Sequence, residues 1–275
     1  MKFKRFTSTV SDFGDEWNKF DNEKISKTEL KKIFNNYFSI FPKKILNKNS
    51  VGIDIGSGSG RWADFVMPKV KKLYLLEPSK KALDVSKKKL KLYKNISYHN
   101  VEIKKINKIN SKFDFAYSLG VIHHLNYPLK AFKLIRKKLK KNSPFLVYLY
   151  HDLEENNLFY KFLWKLSEIL RWFISKQNFF IKSIITDLIA ILIYFPLSRI
   201  AKLLLLFFSS PKNFPLSYYI DKPFYVMRND ALDRFGTKYE KRYSRSDIIK
   251  LFKKSGLKKI KISSKRPYWC AIGYK

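Results

Sequence analysis

The sequence is poor in cysteine, and this shortage excludes two classes of protein. A single cysteine, Cys270, among 275 residues rules out a disulfide scaffold and a cysteine-rich zinc module, and it favours a reducing compartment. The segment from Met1 to Val10 lacks the apolar run of a signal peptide, so we expect a cytoplasmic protein. Hydrophobic residues make up 45% of the chain, which is enough for a real core and excludes intrinsic disorder.

Acidic residues are also scarce: 22 Asp and Glu stand against 57 Lys and Arg, giving a formal charge of +35. Only ten of the basic residues are arginine, whose forked guanidinium suits phosphate and base contacts. Lys, Ile, Asn, Phe, Tyr and Met, all with AT-rich codons, fill 135 of the 275 positions. Codon bias therefore explains most of the lysine excess. We do not expect a nucleic-acid partner, although the positive field favours anionic ligands or membrane surfaces.

The first half of the chain alternates short apolar segments with amphipathic ones. Strands are predicted at 51–55, 72–76, 96–101, 113–117 and 144–150, and helices at 30–38, 62–70, 79–93 and 129–139. After a capped helix ending at Gly256, two further strands are predicted at 259–262 and 268–274. This alternation predicts an α/β fold with a doubly wound, mostly parallel sheet.

The alternation stops after the fifth strand. Residues 156–208 are apolar and aromatic with helical spacing, but the uncharged run from Leu188 to Ser198 is shorter than the ~18–20 residues of a spanning helix. We therefore expect no membrane span, and two alternatives remain open. The insertion is either a cap on the core domain or a pair of helices lying on a membrane surface.

The predicted domains are a helical lead-in or lid (1–48), a cofactor-binding α/β core (49–155), the helical insertion (156–213) and a substrate-facing C-terminal segment (214–275) that completes the core. Five of the ten arginines lie between Arg228 and Arg266, where they bind substrate carboxylates or phosphates, or form surface ion pairs. The aromatic segment 13–20 either closes over the cofactor or packs.

The strongest local motif is Asp54-Ile-Gly56-Ser57-Gly58-Ser-Gly60 at the end of the first strand. Glycines there allow a tight turn and a close backbone approach to a ligand, and the following helix N-terminus offers N–H groups. Glu77 ends the second strand 21 positions after Gly56, where a carboxylate accepts hydrogen bonds from ribose hydroxyls.

Three blocks in this order, Ile53–Gly60, Leu75–Ser79 and Phe113–Leu125, resemble the class I S-adenosylmethionine-dependent methyltransferases, in particular the small-molecule, ubiquinone-methyltransferase-like (type 11) branch. The resemblance covers 51–150 and, weakly, the end of the chain from Tyr243. It implies a seven-stranded Rossmann-like sheet, S-adenosylmethionine as cofactor, and methyl transfer.

The resemblance also implies cofactor contacts at the ends of four strands: Asp54, Gly56, Ser57, Gly58, Gly60, Glu77, Pro78, Asn100, Val101, Ser118 and Leu119. Asp54 would face the methionine amino group and Glu77 the ribose. Asn100 stands where the family commonly has Asp against the adenine amino group, and an amide oxygen accepts the same bond.

Methyl transfer to oxygen or nitrogen needs alignment and a base. The candidate bases are His151, which follows the fifth strand beside Asp152, and His123 and His124, which follow the fourth. Packing roles for the histidine pair and a helix-capping role for Asp152 are the alternatives. No ligand spacing predicts a metal site.

We expect methyl transfer to an O, N or C atom of a small or amphipathic acceptor, such as a quinone precursor, lipid or glycan. An RNA methyltransferase and a non-catalytic S-adenosylmethionine-binding scaffold are the alternatives. Peripheral contact with the inner face of the membrane through 156–208 is left open, as is the oligomeric state.

Overall fold

The computed structural model describes residues 19–20, 25–152, 158–207, 214–264 and 269–275. These residues form two compact units. The core unit contains 27–155 and 239–275, and the helical unit contains 156–238. Most of the aromatic segment 13–20, as well as Arg266 and Tyr268, lies outside the described residues.

The core unit is built on a seven-stranded sheet with the order β3-β2-β1-β4-β5-β7-β6. The strands are β1 Val51–Ile55, β2 Lys72–Leu76, β3 Ile96–His99, β4 Phe115–Leu119, β5 Pro144–Leu149, β6 Lys258–Ile262 and β7 Trp269–Tyr274. The first five are parallel, and β7 is antiparallel to both of its neighbours. The predicted doubly wound, mostly parallel sheet is therefore confirmed. The carboxyl ends of β1 to β5 share one edge.

Helices cover the sheet where the alternating pattern predicts them. They are α1 Lys27–Tyr37, α2 Ala63–Val66, α3 Lys80–Lys89 and α4 Pro128–Lys138. The helix predicted at 62–70 is shorter because Pro68 stands in it, and a 3-10 turn, Met67–Lys69, follows α2. The aromatic residues after α1 belong to the core: the ring of Phe38 packs edge-on against Tyr117 at 5.4 Å.

The helical unit contains α5 Leu158–Ile174, α6 Phe179–Ile189, α7 Phe195–Leu204 and α8 Phe224–Gly236. A π-helical turn, Ala190–Tyr194, joins α6 to α7, so that 26 residues form one helix, Phe179–Leu204, hereafter the long helix. The buried centre of the unit is formed by Ile174, Ala190, Tyr194, Met227, Ala231 and Phe235. The segment 214–238, grouped from sequence with the C-terminal part, lies in this unit.

The long helix is longer than its uncharged run indicates, and the absence of a membrane span stays a prediction. By length and composition it could cross a membrane, with a mean hydropathy of 1.9 over its most apolar 18 residues. The uncharged run from Leu188 to Ser198 underestimates the length of this apolar helix. The helix begins nine residues earlier, at Phe179, and the charged side chain of Lys182 within it is buried.

Two arginines of the helical unit, Arg228 and Arg234, form ion pairs. Arg228 holds Asp187 through two hydrogen bonds of 2.9 and 2.7 Å, and Arg234 lies 2.7 Å from Glu168. Of the two interpretations of this arginine cluster, the structure shows ion pairing at these two positions.

The core unit ends with α9, Arg245–Ser255. Its N-terminus has the predicted capping box between Ser244 and Asp247, and it ends at Gly256 in the left-handed conformation (φ 82°). Strands β6 and β7 then complete the sheet.

Candidate active site

The loop after β1 depends on glycine for its shape. Gly56 and Gly60 have φ values of 73° and 74°, which side-chain-bearing residues rarely adopt. A Cβ atom at Gly56 would lie 2.5 Å from Val121, and one at Gly60 would lie 2.6 Å from Ser86 Oγ. The backbone N–H of Gly56 donates to the Leu76 carbonyl at 2.7 Å, which ties the loop to the end of β2. The loop is therefore held in one conformation from both sides.

Glu77 lies at the end of β2 with its carboxylate fixed by backbone N–H groups. Gly58 N–H donates to Oε2 at 2.9 Å and Ser79 N–H donates to Oε1 at 2.8 Å. Burial raises the pKa of Glu77 to about 7, while these two hydrogen bonds act in the opposite direction. The carboxylate is thus locked against the glycine loop, where the sequence predicts it.

Asp54 is the last but one residue of β1, and its side chain is buried. Its Oδ2 has no hydrogen-bond partner in the protein, and neither do the hydroxyls of Ser57 and Ser59 in the following loop. Burial raises the pKa of Asp54 to about 8; the Tyr117 hydroxyl opposes this effect and the Glu77 carboxylate adds to it. Unpartnered buried polar atoms are costly, so this cluster is built for a polar ligand group.

The loop after β3 contains Asn100 and Val101. The Asn100 side-chain amide donates to the carbonyls of Glu77 and Pro78, at 3.0 and 2.9 Å. Since both bonds use its nitrogen, the amide oxygen keeps its accepting capacity, as the expected contact with an adenine amino group requires. Asn100 also joins this loop to the end of β2.

Ser118 and Leu119 end β4 next to β1. The Ser118 hydroxyl donates to the Ile55 carbonyl at 2.9 Å, and both side chains are buried. The Ser118 hydroxyl is therefore already engaged with β1. Its expected contribution to the cofactor site is its position at this edge of the sheet.

His123 is fully buried in the loop after β4. Its ring stacks on Tyr150 with 3.8 Å between centroids, and neither ring nitrogen has a hydrogen-bond partner. Burial holds the pKa of His123 well below its usual value, and His124 and Arg242 act in the same direction. The imidazole is therefore neutral at physiological pH.

His124 and His151 are held differently. His124 is buried, and its Nδ1–H donates to the Tyr239 carbonyl at 2.9 Å, so that Nε2 is the basic nitrogen of the neutral ring. His151 is half-buried two residues after the end of β5, and its backbone pairs with Tyr243. All three histidines lie at the carboxyl edge of neighbouring strands β4 and β5, as predicted.

Two tyrosines at this edge were missed from the sequence. Tyr117 lies beside Asp54, and Tyr150 supports the ring of His123. The signal for Tyr117 was available only once β1 and β4 were aligned, because their register pairs it with Asp54. Among the described residues, no group of three or more His, Cys, Asp and Glu could hold a metal ion.

The glycine loop, the two buried carboxylates and the sheet they end define a class I S-adenosylmethionine-dependent methyltransferase domain. Residues 53–145 match the family described as "Methyltransferase domain", which spans β1 to the start of β5. Residues 53–145 therefore form a methyltransferase domain of that class, whose cofactor is S-adenosylmethionine. The ubiquinone-methyltransferase-like branch stays a prediction.

A solved structure that aligns over nearly the whole chain agrees with the fold. Magnesium protoporphyrin IX methyltransferase (ChlM) from Synechocystis PCC 6803, with bound SAH, aligns over 99% of this chain and 97% of its own, with a TM-score of 0.54 and 11% identity. The N-methyltransferase NodS from Bradyrhizobium japonicum WM9 covers 54% of this chain and 74% of its own (TM-score 0.43, 16% identity).

The YcgJ protein from Bacillus subtilis covers 50% of this chain (TM-score 0.42, 19% identity), and the match spans 59% of that protein. This chain thus spans about half to three fifths of the length of several of its structural relatives. A search of curated proteins gives no match.

Proposed function

We propose that this protein transfers a methyl group from S-adenosylmethionine to an O, N or C atom of a small or amphipathic acceptor in the cytoplasm. The observation that carries the proposal is the set of buried polar atoms at the end of β1 and in the loop that follows it. Asp54 Oδ2, Ser57 Oγ and Ser59 Oγ have no partner in the protein, while Glu77 is fixed beside them. This arrangement fits the charged methionine end and the ribose of the cofactor.

S-adenosylmethionine supplies a methyl group on a positively charged sulfur. The chain supplies position: Asp54 would pair with the α-amino group, Glu77 would accept from the ribose hydroxyls, and Asn100 would accept from the adenine amino group. Gly56 and Gly60 allow the backbone to approach closely because they carry no Cβ. Orientation of this kind provides much of the rate of a two-reactant displacement.

An oxygen or nitrogen acceptor also has to lose a proton. His124 and His151 are the residues we propose for this role, because His124 has a defined basic nitrogen and His151 is partly accessible. His123 is neutral but enclosed, with its ring against Tyr150, which suits a positioning role for that loop. A positioned general base contributes roughly 10²- to 10⁴-fold in rate.

The acceptor would be a molecule with an apolar portion, such as a quinone precursor, a lipid or a lipid-linked glycan. Exposed apolar residues of the helical unit support this class. The magnesium protoporphyrin IX methyltransferase from Synechocystis PCC 6803 shares the fold over nearly the whole chain.

The test uses full-length protein, S-adenosylmethionine with a deuterated methyl group, and cell extract fractionated into aqueous and lipid-soluble pools. We expect a mass-shifted product in the lipid-soluble pool, together with S-adenosylhomocysteine. His151→Gln and His124→Gln should lower turnover without changing cofactor affinity if either is the base. Cofactor binding without S-adenosylhomocysteine in any pool would refute methyl transfer and leave a binding scaffold.

A further inference from the structure

The long helix, Phe179–Leu204, has the reverse of the polarity expected in water. Its buried positions recur about every four residues and are mostly polar or small: Lys182, Thr186, Ala190, Tyr194, Ser198 and Ala201. Its exposed positions are mostly large and apolar, with Phe180 exposed to 72% and Leu192 to 69%. A surface helix in water buries the apolar side and exposes the polar side. The exposed side of this helix therefore suits a non-aqueous environment.

The same feature continues on α5, where Phe162, Ile169, Trp172 and Phe173 are more than half exposed. Of the 22 large apolar side chains exposed among the described residues, 19 lie between residues 162 and 207. Half-exposed side chains of this number present on the order of 1,000 Å² of apolar surface, whereas soluble monomers rarely expose patches above a few hundred.

The charges around these faces identify the occupant. Two acidic side chains next to these faces are engaged internally, with Glu168 paired to Arg171 and Arg234, and Asp187 paired to Arg228, while Asp221 is exposed. The lysines at positions 165, 176 and 202 are exposed among the apolar residues, and the Lys176 ammonium lies 3.0 Å from the centre of the Trp172 ring. Apolar side chains interspersed with exposed cations are complementary to a bilayer with anionic headgroups.

The packing of the buried side of the long helix argues against a membrane-spanning orientation. It packs against α8, which carries Arg228 of the Arg228–Asp187 ion pair. Helix α8 has 13 residues, a length of about 20 Å, and so is too short for a hydrocarbon core of roughly 30 Å. A spanning arrangement would place this polar partner helix in lipid, where unpaired polar groups are costly.

We propose that the exposed apolar faces of α5 and the long helix insert into the boundary between headgroups and acyl chains of an anionic lipid bilayer, with the long helix lying in the membrane plane. The lysines then contact the headgroups, and the polar side of the helix stays covered by α8. This docking does not depend on methyl transfer.

The first test measures co-sedimentation of full-length protein with vesicles of phosphatidylcholine, alone or mixed with phosphatidylglycerol. We expect binding to the mixed vesicles that weakens with salt and is much weaker on pure phosphatidylcholine. Leu192→Glu should reduce vesicle affinity by about 30-fold, because burial of one leucine side chain is lost. The matched control is Leu92→Glu, which makes the same change at a position 85% exposed in the core unit and should bind vesicles like the wild type.

A second measurement locates the contact. Brominated lipids should quench the fluorescence of Trp172, and the quenching should be lost in Trp172→Phe. Retained stabilisation by S-adenosylmethionine shows that each variant is folded. The proposal is overturned if the wild type ignores both vesicle types or if the Leu192 and Leu92 variants lose binding equally. It is also overturned if Leu192→Glu instead converts an oligomer to monomer, because a second copy then covers the face. Vesicle binding without cofactor binding would refute the proposed methyl transfer and support the docking.

Discussion

Cofactor affinity should depend steeply on pH, because the carboxyl expected to pair with the cofactor holds its proton in the free protein. Burial raises the pKa of Asp54 to about 8, so most molecules carry a neutral Asp54 at pH 7. Pairing with the positively charged α-amino group of S-adenosylmethionine requires the ionised form. Binding should therefore release a proton from Asp54.

The magnitude follows from linkage. Below the pKa of Asp54, each released proton makes the dissociation constant fall up to tenfold per pH unit. The free α-amino group titrates at about pH 7.7–8.0, so the useful window lies between about pH 6 and 7.5. Glu77, with a pKa raised to about 7, adds a second proton in the lower part of this window.

The assay is calorimetric titration with S-adenosylmethionine at several pH values, in buffers of different ionisation enthalpy, which counts the protons released. Asp54→Asn should reduce the number of protons released on binding by one. It should also reduce the change in the dissociation constant by about tenfold per pH unit. Asp84→Asn, on the exposed face of α3, should retain the wild-type slope. Equal slopes in the wild type and Asp54→Asn would refute the reasoning.

The same pKa shifts predict the stability of the cofactor-free protein. The folded-state pKa values of Asp54 and Glu77 lie above the ordinary values of 3.8 and 4.5, so the native state retains protons that the unfolded chain loses. Stability should therefore fall as pH rises from about 4 to 8, and Asp54→Asn should weaken that fall. Thermal unfolding across this range measures it.

Two further variants test the geometry of the glycine loop and of Glu77. Gly56→Ala should lower the free energy of unfolding by at least about 3 kcal/mol in urea titration, because left-handed backbone strain adds to the steric contact with Val121. The control is Gly120→Ala. Gly120 also has a φ of 74°, but the nearest atom to an added Cβ lies at 3.9 Å, so this change should cost only about 1–2 kcal/mol. Equal losses would contradict the close-approach argument. Glu77→Gln should weaken S-adenosylmethionine binding by roughly 10- to 100-fold in thermal-shift titration, because an amide cannot accept from Gly58, Ser79 and the ribose as a carboxylate does; unchanged affinity would remove Glu77 from the site.

The sheet could be predicted because its signals are local. Strands β1, β2 and β5 are short apolar runs bounded by glycine, proline or charged residues, and each lies within a residue or so of its predicted position. Strand β4 begins two residues later than predicted, because the apolar pattern of 113–119 does not mark where pairing with β1 starts. The site residues at the strand ends were predictable for the same reason, since parallel strands bring their carboxyl ends together.

What could not be predicted depends on contacts between distant parts of the chain. Arg228 and Asp187 are 41 residues apart in the sequence. Local hydrophobic periodicity predicts neither their pairing nor the packing of α8 along the long helix. The polarity of that helix was also hidden. Lys182 and Thr186 look like surface residues in sequence, yet they are buried.

The chain leaves and re-enters the core unit at one place. Tyr243 donates its backbone N–H to the Tyr150 carbonyl at 2.9 Å, and Asp152 donates its backbone N–H to the Tyr243 carbonyl at 3.0 Å. Hydrogen bonds within the core unit therefore hold the two ends of the intervening segment together. Because the entropy of closing a loop grows only logarithmically, doubling the length of that segment would cost the core about 0.6 kcal/mol. In this sense the helical unit is a segment whose length can change at little cost to the core unit. Its sequence can therefore change while the strand ends of the core unit keep their arrangement.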